Sequence, residues 1–187
     1  MRLEMGCAPA QSKETITSLL NHSLPVGGIA SGFLLLDDRG RFYNHIPGSG
    51  MYGMLLPNTF PSVFLQSESG QTYVRCLAGK LEEGDAPAAE GQPPRLEKEQ
   101  IQFNFQYPSG NFRLSDSVAP AAVTWTYFNP VIPYDQVASA MPVAILSVRV
   151  ENKTSGPLKA AVMFSADNLH LADSGLSQGR YGEIHAI

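Results

Sequence analysis

Two alternating runs of apolar and polar residues, joined by one polar turn, constrain the fold more than any other stretch. The first run covers residues 143–151 and the second covers residues 158–165. A period of two is typical of a β-strand that packs one face on a core and leaves the other face wetter. The six residues between the runs, 152–157, are all turn formers. We therefore predict an antiparallel β-hairpin over residues 143–165.

The same criteria predict more short strands, which together define the fold class. The predicted segments are the hairpin pairs 33–36 with 41–46 and 63–66 with 72–77, and the single strands 100–107 and 123–128. Residues 47–61 and 84–94 are rich in Gly and Pro and are predicted to be loops, the second of them mobile. Seven or more short strands separated by turn residues predict an all-β fold, an antiparallel β-sandwich.

Length and charge limit the domain count and the classes of partner. The 187 residues suit one all-β domain. We expect an N-terminal arm at 1–23, a sandwich at 24–170, and an irregular tail or the start of a further element at 171–187. A net charge of −4 without a Lys or Arg cluster argues against nucleic-acid binding. No stretch resembles a signal peptide or could span a membrane, so we expect a cytoplasmic chain.

The glycine-rich stretch at residues 27–32 admits two interpretations. A phosphate-binding loop requires a following helix, but strand formers follow here and no Lys is placed to bind a phosphate. A tight bend where one backbone passes close to another is therefore favoured. Cys7 and Cys76 are more consistent with free thiols than with a disulfide.

The titratable residues predict neither a metal site nor a catalytic site. The four histidines are far apart and lack ligand spacing, so we predict no metal and no cofactor. Paired carboxylates for glycoside chemistry could be drawn from four aspartates, but turn carboxylates are the favoured interpretation. These residues are His22, His45, His170 and His185, and Asp116, Asp135, Asp167 and Asp173.

The aromatic run near residue 125 leaves an alternative function open. Trp125 and Tyr127 lie at alternating strand positions, where packing into a core is the favoured interpretation. On an exposed sheet face they would instead stack against sugars, as in a free-standing carbohydrate-binding module. A third alternative is a structural domain whose exposed strand edge pairs with another chain.

Several short motifs follow one another in a distinctive order along the chain. They are P-V-G-G-I at 25–29 with Gly32, G-R-F at 40–42, F-N-P-V-I-P at 128–133, M-P-V-A at 141–144, V-E-N-K-T at 150–154 and F-S-A-D-N at 164–168. This order resembles the N-terminal domain of the glucosylceramidase-type β-glucosidases, that is, the non-lysosomal glucosylceramidase family, glycoside hydrolase family 116. Three positions depart from the family pattern, since Ala30 replaces a Gly and His45 and Ala166 replace tryptophans.

The resemblance implies a supersandwich-like domain packed against a C-terminal (α/α)₆ barrel. In that family the barrel carries the nucleophile and the acid/base of a retaining glycosidase, and it is absent from these residues. We therefore expect an accessory domain that is inactive alone and meets a β-glucoside or glucosylceramide-type substrate only through its parent. The family domain looks longer than this chain, so a truncated sandwich with unpaired strand edges is expected. The residues expected to face the barrel or its cleft are Gly27, Gly28, Gly32, Arg41, Tyr43 and His45.

Overall fold

The computed structural model describes residues 23–28, 33–45, 52–85, 87–141 and 143–167. These residues form eleven β-strands, one 3₁₀ turn and one short α-helix. The strands are β1 (Ser23–Val26), β2 (Phe33–Asp37), β3 (Phe42–His45), β4 (Tyr52–Leu55), β5 (Phe60–Ser67), β6 (Thr72–Cys76), β7 (Ile101–Gln106), β8 (Ser109–Leu114), β9 (Ala121–Phe128), β10 (Ile145–Asn152) and β11 (Leu158–Ser165). The 3₁₀ turn is Lys98–Gln100, and the helix α1 is Gln136–Ser139.

The strands form three sheets in which every paired strand is antiparallel. The sheet orders are β1-β2-β3-β4, β10-β9-β8-β7 and β11-β5-β6. Their residues share one hydrophobic core, so the all-β antiparallel sandwich predicted from the sequence is confirmed.

The sheet β10-β9-β8-β7 has one apolar face and one polar face. Apolar and polar residues alternate along each strand, and the register aligns residues of the same kind across the sheet. A central row across its inner face is Phe103, Phe112, Trp125 and Val148. The neighbouring row on its outer face is Asn104, Asn111, Thr126 and Ser147. The inner row is buried or half-buried, so this face supplies one wall of the core.

Aromatic side chains pack within this sheet and against the sheet β1-β2-β3-β4. Phe42 of β3 meets Tyr127 of β9 edge-on, with ring centroids 5.2 Å apart. Phe112 stacks on Trp125 at 5.3 Å. Such pairs add about 0.5–1.5 kcal/mol each beyond the burial of their apolar area.

The sheet β1-β2-β3-β4 is covered on both faces. Leu36 and Phe42 point into the main core, whereas Leu35, Tyr43 and Leu55 form a second cluster with Leu81 on the opposite face. Burial on both sides accounts for the unbroken apolar run at the start of β2, where alternation would otherwise be expected.

The hairpin predicted over residues 143–165 is wrong, although both of its strands exist. β10 pairs with β9, and β11 pairs with β5, so the two strands belong to different sheets. The turn between them instead carries the chain from one sheet to the other, and it is closed by a 2.8 Å hydrogen bond from Asn152 Nδ2 to the Gly156 carbonyl. Alternation specifies which residues share a face, but it does not specify the partner strand.

The other sequence-based predictions have mixed outcomes. The hairpins β2–β3 and β5–β6 are confirmed, and β7 and β9 match the two predicted single strands. The predicted loop at 47–61 contains β4 and the start of β5, and β1 and β8 were missed. The described part of 84–94 has no strand or helix, and the mobility of that loop stays a prediction. Residues 1–22 and 168–187, with most of the predicted arm and the whole tail, lie outside the described residues.

β10 and β11 are edge strands of their sheets in the described part of the chain, and the truncation of the sandwich stays a prediction. Within those same residues, no helix combines the length and apolarity required to cross a bilayer.

Candidate functional site

The β2–β3 turn brings three polar side chains to the outer face of the first sheet. Asp37 ends β2, and its amide donates to the Arg41 carbonyl at 3.1 Å while its own carbonyl accepts from Gly40 N at 3.0 Å. Gly40 has a φ of +72°, a left-handed conformation that favours glycine. The strand period then places Asp37, Arg41 and Tyr43 on the same face.

The Asp37 carboxylate is the centre of this cluster and accepts four hydrogen bonds. Its Oδ2 accepts from Arg41 Nε at 2.7 Å and from the Tyr43 hydroxyl at 3.4 Å. Its Oδ1 accepts from the backbone amides of Arg41 at 2.8 Å and Arg39 at 3.0 Å. The cluster therefore fixes the turn and the first residues of β3 relative to β2.

A loop of this chain covers the cluster. Arg41 Nη1 lies 3.5 Å from Asp85 Oδ2 and 4.0 Å from Glu82 Oε1, and Glu82 also pairs with Arg39. Arg41 is 8% exposed and Tyr43 is 3% exposed. Both residues can therefore influence a neighbouring domain only through the groups that cover them.

Burial dominates the electrostatics of the cluster. It raises the pKa of the Asp37 carboxyl, and the Arg41 guanidinium and the amide hydrogen bonds oppose that rise. Burial acts to lower the pKa of Arg41, but the charge of Asp37 and weaker neighbouring effects leave that pKa raised. Burial and the Asp37 charge also raise the pKa of the Tyr43 hydroxyl. The Tyr43 hydroxyl therefore stays protonated near neutral pH and donates its hydrogen bond to Asp37.

Gly27 and Gly28 form a second local arrangement in which two backbones meet. The amide of Gly27 donates to Asn129 Oδ1 at 2.9 Å, and Asn129 Nδ2 donates to the Pro25 carbonyl. A Cβ added to Gly28 would lie 2.1 Å from the Met141 carbonyl oxygen. This is the close approach of two backbones that the sequence favoured over a phosphate loop, and the rest of the predicted bend, residues 29–32, lies outside the described residues.

The structure does not bring all the predicted cleft-facing residues together. β2 and β3 pair Phe33 with His45 at one end of the hairpin and Leu36 with Phe42 at the other. Gly27 and Gly28 follow the end of β1 that lies beside the Phe33–His45 end of the hairpin. Arg41 lies at the opposite end, next to Phe42. Gly32 and the His45 side chain lie outside the described part of the chain. The orientation of these residues toward a barrel stays a prediction.

Trp125 and Tyr127 do not form an exposed sugar-stacking platform. Trp125 is 0% exposed and Tyr127 is 2% exposed, both in the main core. Their positions are inward because β9 alternates and its other face carries Thr124 and Thr126. The expectation behind the carbohydrate-binding module is therefore wrong, and core packing, the favoured interpretation, is confirmed.

The described candidate aspartates support local structure. Asp116 accepts from the Tyr73 hydroxyl at 2.8 Å, Asp135 caps α1 through the Ala138 amide at 2.9 Å, and Asp167 accepts from Asn58 N and Nδ2 at 3.0 and 2.7 Å. Asp173 lies outside the described residues. Across the described ranges, no three His, Cys, Asp or Glu side chains are grouped so that they could hold a metal ion.

Comparison with known protein families identifies the domain. A family model described as "beta-glucosidase 2, glycosyl-hydrolase family 116 N-term" matches residues 23–183. The chain belongs to this family. A search of curated proteins found no match.

In this family 116 N-terminal domain, residues 129–144 join β9 to β10 and present apolar side chains to solvent. We call these residues the β9–β10 segment. Within it Ile132 is 49% exposed, Val137 is 85% exposed, and Tyr134 is fully exposed with a φ of +68°. The predictions from the sequence do not include this surface. The sequence feature that could have predicted the surface is an apolar stretch of 18 residues, 128–145, in which Asp135 is the one charged residue.

The described polar residues of this domain serve local structure. The buried polar residues Asp37, Arg41 and Asn129 hold turns and cross-connections, and the described aspartates cap or anchor local structure. The match to the N-terminal family indicates that this domain is part of a larger glycosidase.

Proposed function

We propose that this domain is an accessory part of a β-glucosidase- or glucosylceramidase-like hydrolase, that it packs on a catalytic (α/α)₆ barrel, and that it shapes the cleft of that barrel. The observation that carries the proposal is the family match over residues 23–183. The domain is not catalytic alone, and it meets a β-glucoside or glucosylceramide-type substrate through the parent enzyme.

The chemistry of the buried cluster supports a scaffolding role. Retaining glycosidases need two carboxyl groups about 5–5.5 Å apart on either side of a sugar. Asp37 is 4% exposed and bonded on both oxygens, so no sugar can approach it. A fixed turn of this kind suits the positioning of neighbouring backbone.

The first experiment measures hydrolysis of a chromogenic aryl β-glucoside by the purified chain, with a thermal melt on the same sample. We expect a cooperative melt without turnover above the blank. Turnover that is lost on Asp135→Asn or Asp167→Asn would show an active site in the sandwich and overturn the proposal.

The second experiment tests the cleft in a full-length enzyme that carries this chain. Arg41→Ala and His45→Ala are each expected to lower kcat/KM severalfold, and Lys80→Ala serves as the exposed control. Unchanged kcat/KM in both variants, at a temperature where a thermal melt shows them folded, would show that these residues do not shape the cleft.

A further inference from the structure

The β9–β10 segment concentrates the exposed apolar surface of the domain. Seven of the thirteen large exposed apolar side chains of the described residues lie in it or on its two flanking residues. They are Phe128, Ile132, Tyr134, Val137, Met141, Val143 and Ile145. Phe128 and Ile145 are also directly paired across β9 and β10, so the surface continues onto the end of the sheet. Clusters of this kind mark interaction sites, whereas scattered apolar residues do not.

The charge pattern also matches the centre of an interface. Asp135 is the one charged residue between Phe128 and Ile145, and its carboxylate accepts the Ala138 amide at the start of α1. Charged residues are depleted at the cores of protein interfaces, and aromatic residues and methionine are enriched there. A solvent-facing loop of this length would ordinarily carry several charges.

Buried polar side chains tie both ends of the segment to neighbouring backbone. Ser139 is 2% exposed, and its Oγ accepts from the Ile132 amide at 2.9 Å and donates to the Ile132 carbonyl at 3.1 Å. Asn129 fixes the start of the segment to Gly27, and Gly28 contacts the backbone of Ala140 and Met141 near its end. A surface that is ordered before binding loses less conformational entropy on association.

Tyr134 is the clearest sign that the segment meets a partner. Its φ of +68° is strained for a residue with a side chain and costs about 1–3 kcal/mol. Its ring is fully exposed, so no contact within the described residues offsets that cost. Tyrosine is enriched among the residues that anchor interfaces, because a large ring enters a pocket at low entropic cost.

We propose that the β9–β10 segment is the docking surface for the catalytic domain of the parent glycosidase, with Tyr134 and Val137 as its anchors. This inference rests on the proposed function, because the family match supplies the occupant: a domain of this family is the N-terminal part of a larger glycosidase. The low charge of the segment fits a permanent interface, because permanent interfaces are more hydrophobic than transient ones.

The test is site-specific photocrosslinking in a full-length enzyme that carries this chain. A benzophenone amino acid replaces Tyr134, Val137 or, as the matched control, Val118. Val118 is 70% exposed and lies at the opposite end of β9. We expect crosslinks from positions 134 and 137 to peptides of the catalytic domain, and none from position 118.

Two outcomes overturn the docking surface. Crosslinks from positions 134 and 137 to a second copy of the chain would assign the segment to self-association. Equal labelling from all three positions, or labelling from none of them, would show that the segment is not a specific docking surface. Both side chains are exposed, so the substitutions leave the fold intact, and a thermal melt of each variant checks this.

A second readout separates this inference from the proposed function. The double variant Tyr134→Ser/Val137→Ser should lower the melting temperature of the sandwich within the full-length enzyme, and Val118→Ser should not. Crosslinks together with unchanged kcat/KM in Arg41→Ala and His45→Ala would sustain the docking surface and reject the cleft-shaping role. Altered kcat/KM without crosslinks, in variants that a thermal melt shows to be folded at the assay temperature, would do the reverse.

Discussion

Arg41 donates from Nε to Asp37 Oδ2 at 2.7 Å, and both side chains are more than nine-tenths buried. The two residues are four apart in sequence and close the turn between β2 and β3. An apolar pair of the same volume is often as stable as a buried ion pair, so such a pair is weak evidence for stability. Its effect here is to define the geometry of the turn, since the same carboxylate also binds the backbone amides of Arg39 and Arg41.

Removing one partner of this ion pair should destabilise the domain strongly. Asp37→Ala leaves the Arg41 guanidinium buried without its main partner. Arg41→Ala leaves the Asp37 carboxylate buried without its charged partner. Breaking a buried pair in this way costs about 3–5 kcal/mol. Urea unfolding of each single variant and of the double variant measures the loss and the coupling between the two residues.

The exposed pair of Lys80 and Glu97 supplies the control, because both side chains are more than half exposed. Lys80→Ala should change the free energy of unfolding by less than about 1 kcal/mol. Equal losses in Lys80→Ala and Arg41→Ala would show that burial of the Asp37 pair contributes nothing.

The buried position of Trp125 predicts how the fluorescence of the folded domain behaves. This is the one tryptophan of the chain, and it is 0% exposed. Its emission should lie at shorter wavelength than in the urea-unfolded chain, and acrylamide should quench it several times less. Gluco-oligosaccharides should leave the emission unchanged. A saturable change would mean that sugars reach the core strand, and the carbohydrate-binding alternative would return.

Strand periodicity predicted much of this fold because it reports which residues share a face. The alternation in β10 correctly separated the half-buried Leu146, Val148 and Val150 from their exposed neighbours. The alternation did not show that β10 and β11 belong to different sheets. A turn of six residues can connect two strands of a hairpin or two strands of different sheets. Partner choice depends on core contacts distant in sequence, such as those of Val63 and Leu65 in β5.

Two strands escaped prediction for local reasons. β1 contains Pro25, and proline weakens the prediction of a strand. The structure tolerates it because β1 is an edge strand, and the Pro25 carbonyl accepts a hydrogen bond from Asn129. β8 places Gly110 at an inward position, because a Cβ there would lie 2.9 Å from Leu24 Cδ2. Arg41 and Tyr43 were singled out without their partner Asp37, although it is only four residues from Arg41. The loop at residues 81–85 that covers them is remote in sequence and could not be predicted from it.

Gly28→Ala should test how closely the first bend supports the β9–β10 segment. The added Cβ would lie 2.1 Å from the Met141 carbonyl oxygen and 2.7 Å from the Ala140 carbonyl carbon, so backbone must move. We expect a loss of stability in the range of overpacked cores, about 1–3 kcal/mol, measured by urea unfolding. Gly84→Ala is the control: its φ is +91° and its Cβ meets open space, so only the backbone conformation contributes to its cost. A cost for Gly28→Ala no greater than that of the control would contradict the close approach.

The thiol of Cys76 should be unreactive in the folded domain well above neutral pH. Cys76 is 0% exposed, its Sγ donates to the Pro93 carbonyl at 3.1 Å, and burial raises the pKa of the thiol to about 11. Only the thiolate reacts with iodoacetamide, so alkylation at pH 8 should be many times slower in buffer than in urea. Peptide mass spectrometry isolates this cysteine from Cys7.

The same shift has a consequence for stability. A pKa raised in the folded state stabilises the fold below the pKa of the unfolded thiol, and that contribution is lost as the pH rises toward 11. The free energy of unfolding should therefore fall more steeply above about pH 9 in the natural chain than in Cys76→Ala. Parallel pH profiles, or rapid alkylation of folded Cys76 at pH 8, would show that the thiol is accessible and its pKa ordinary.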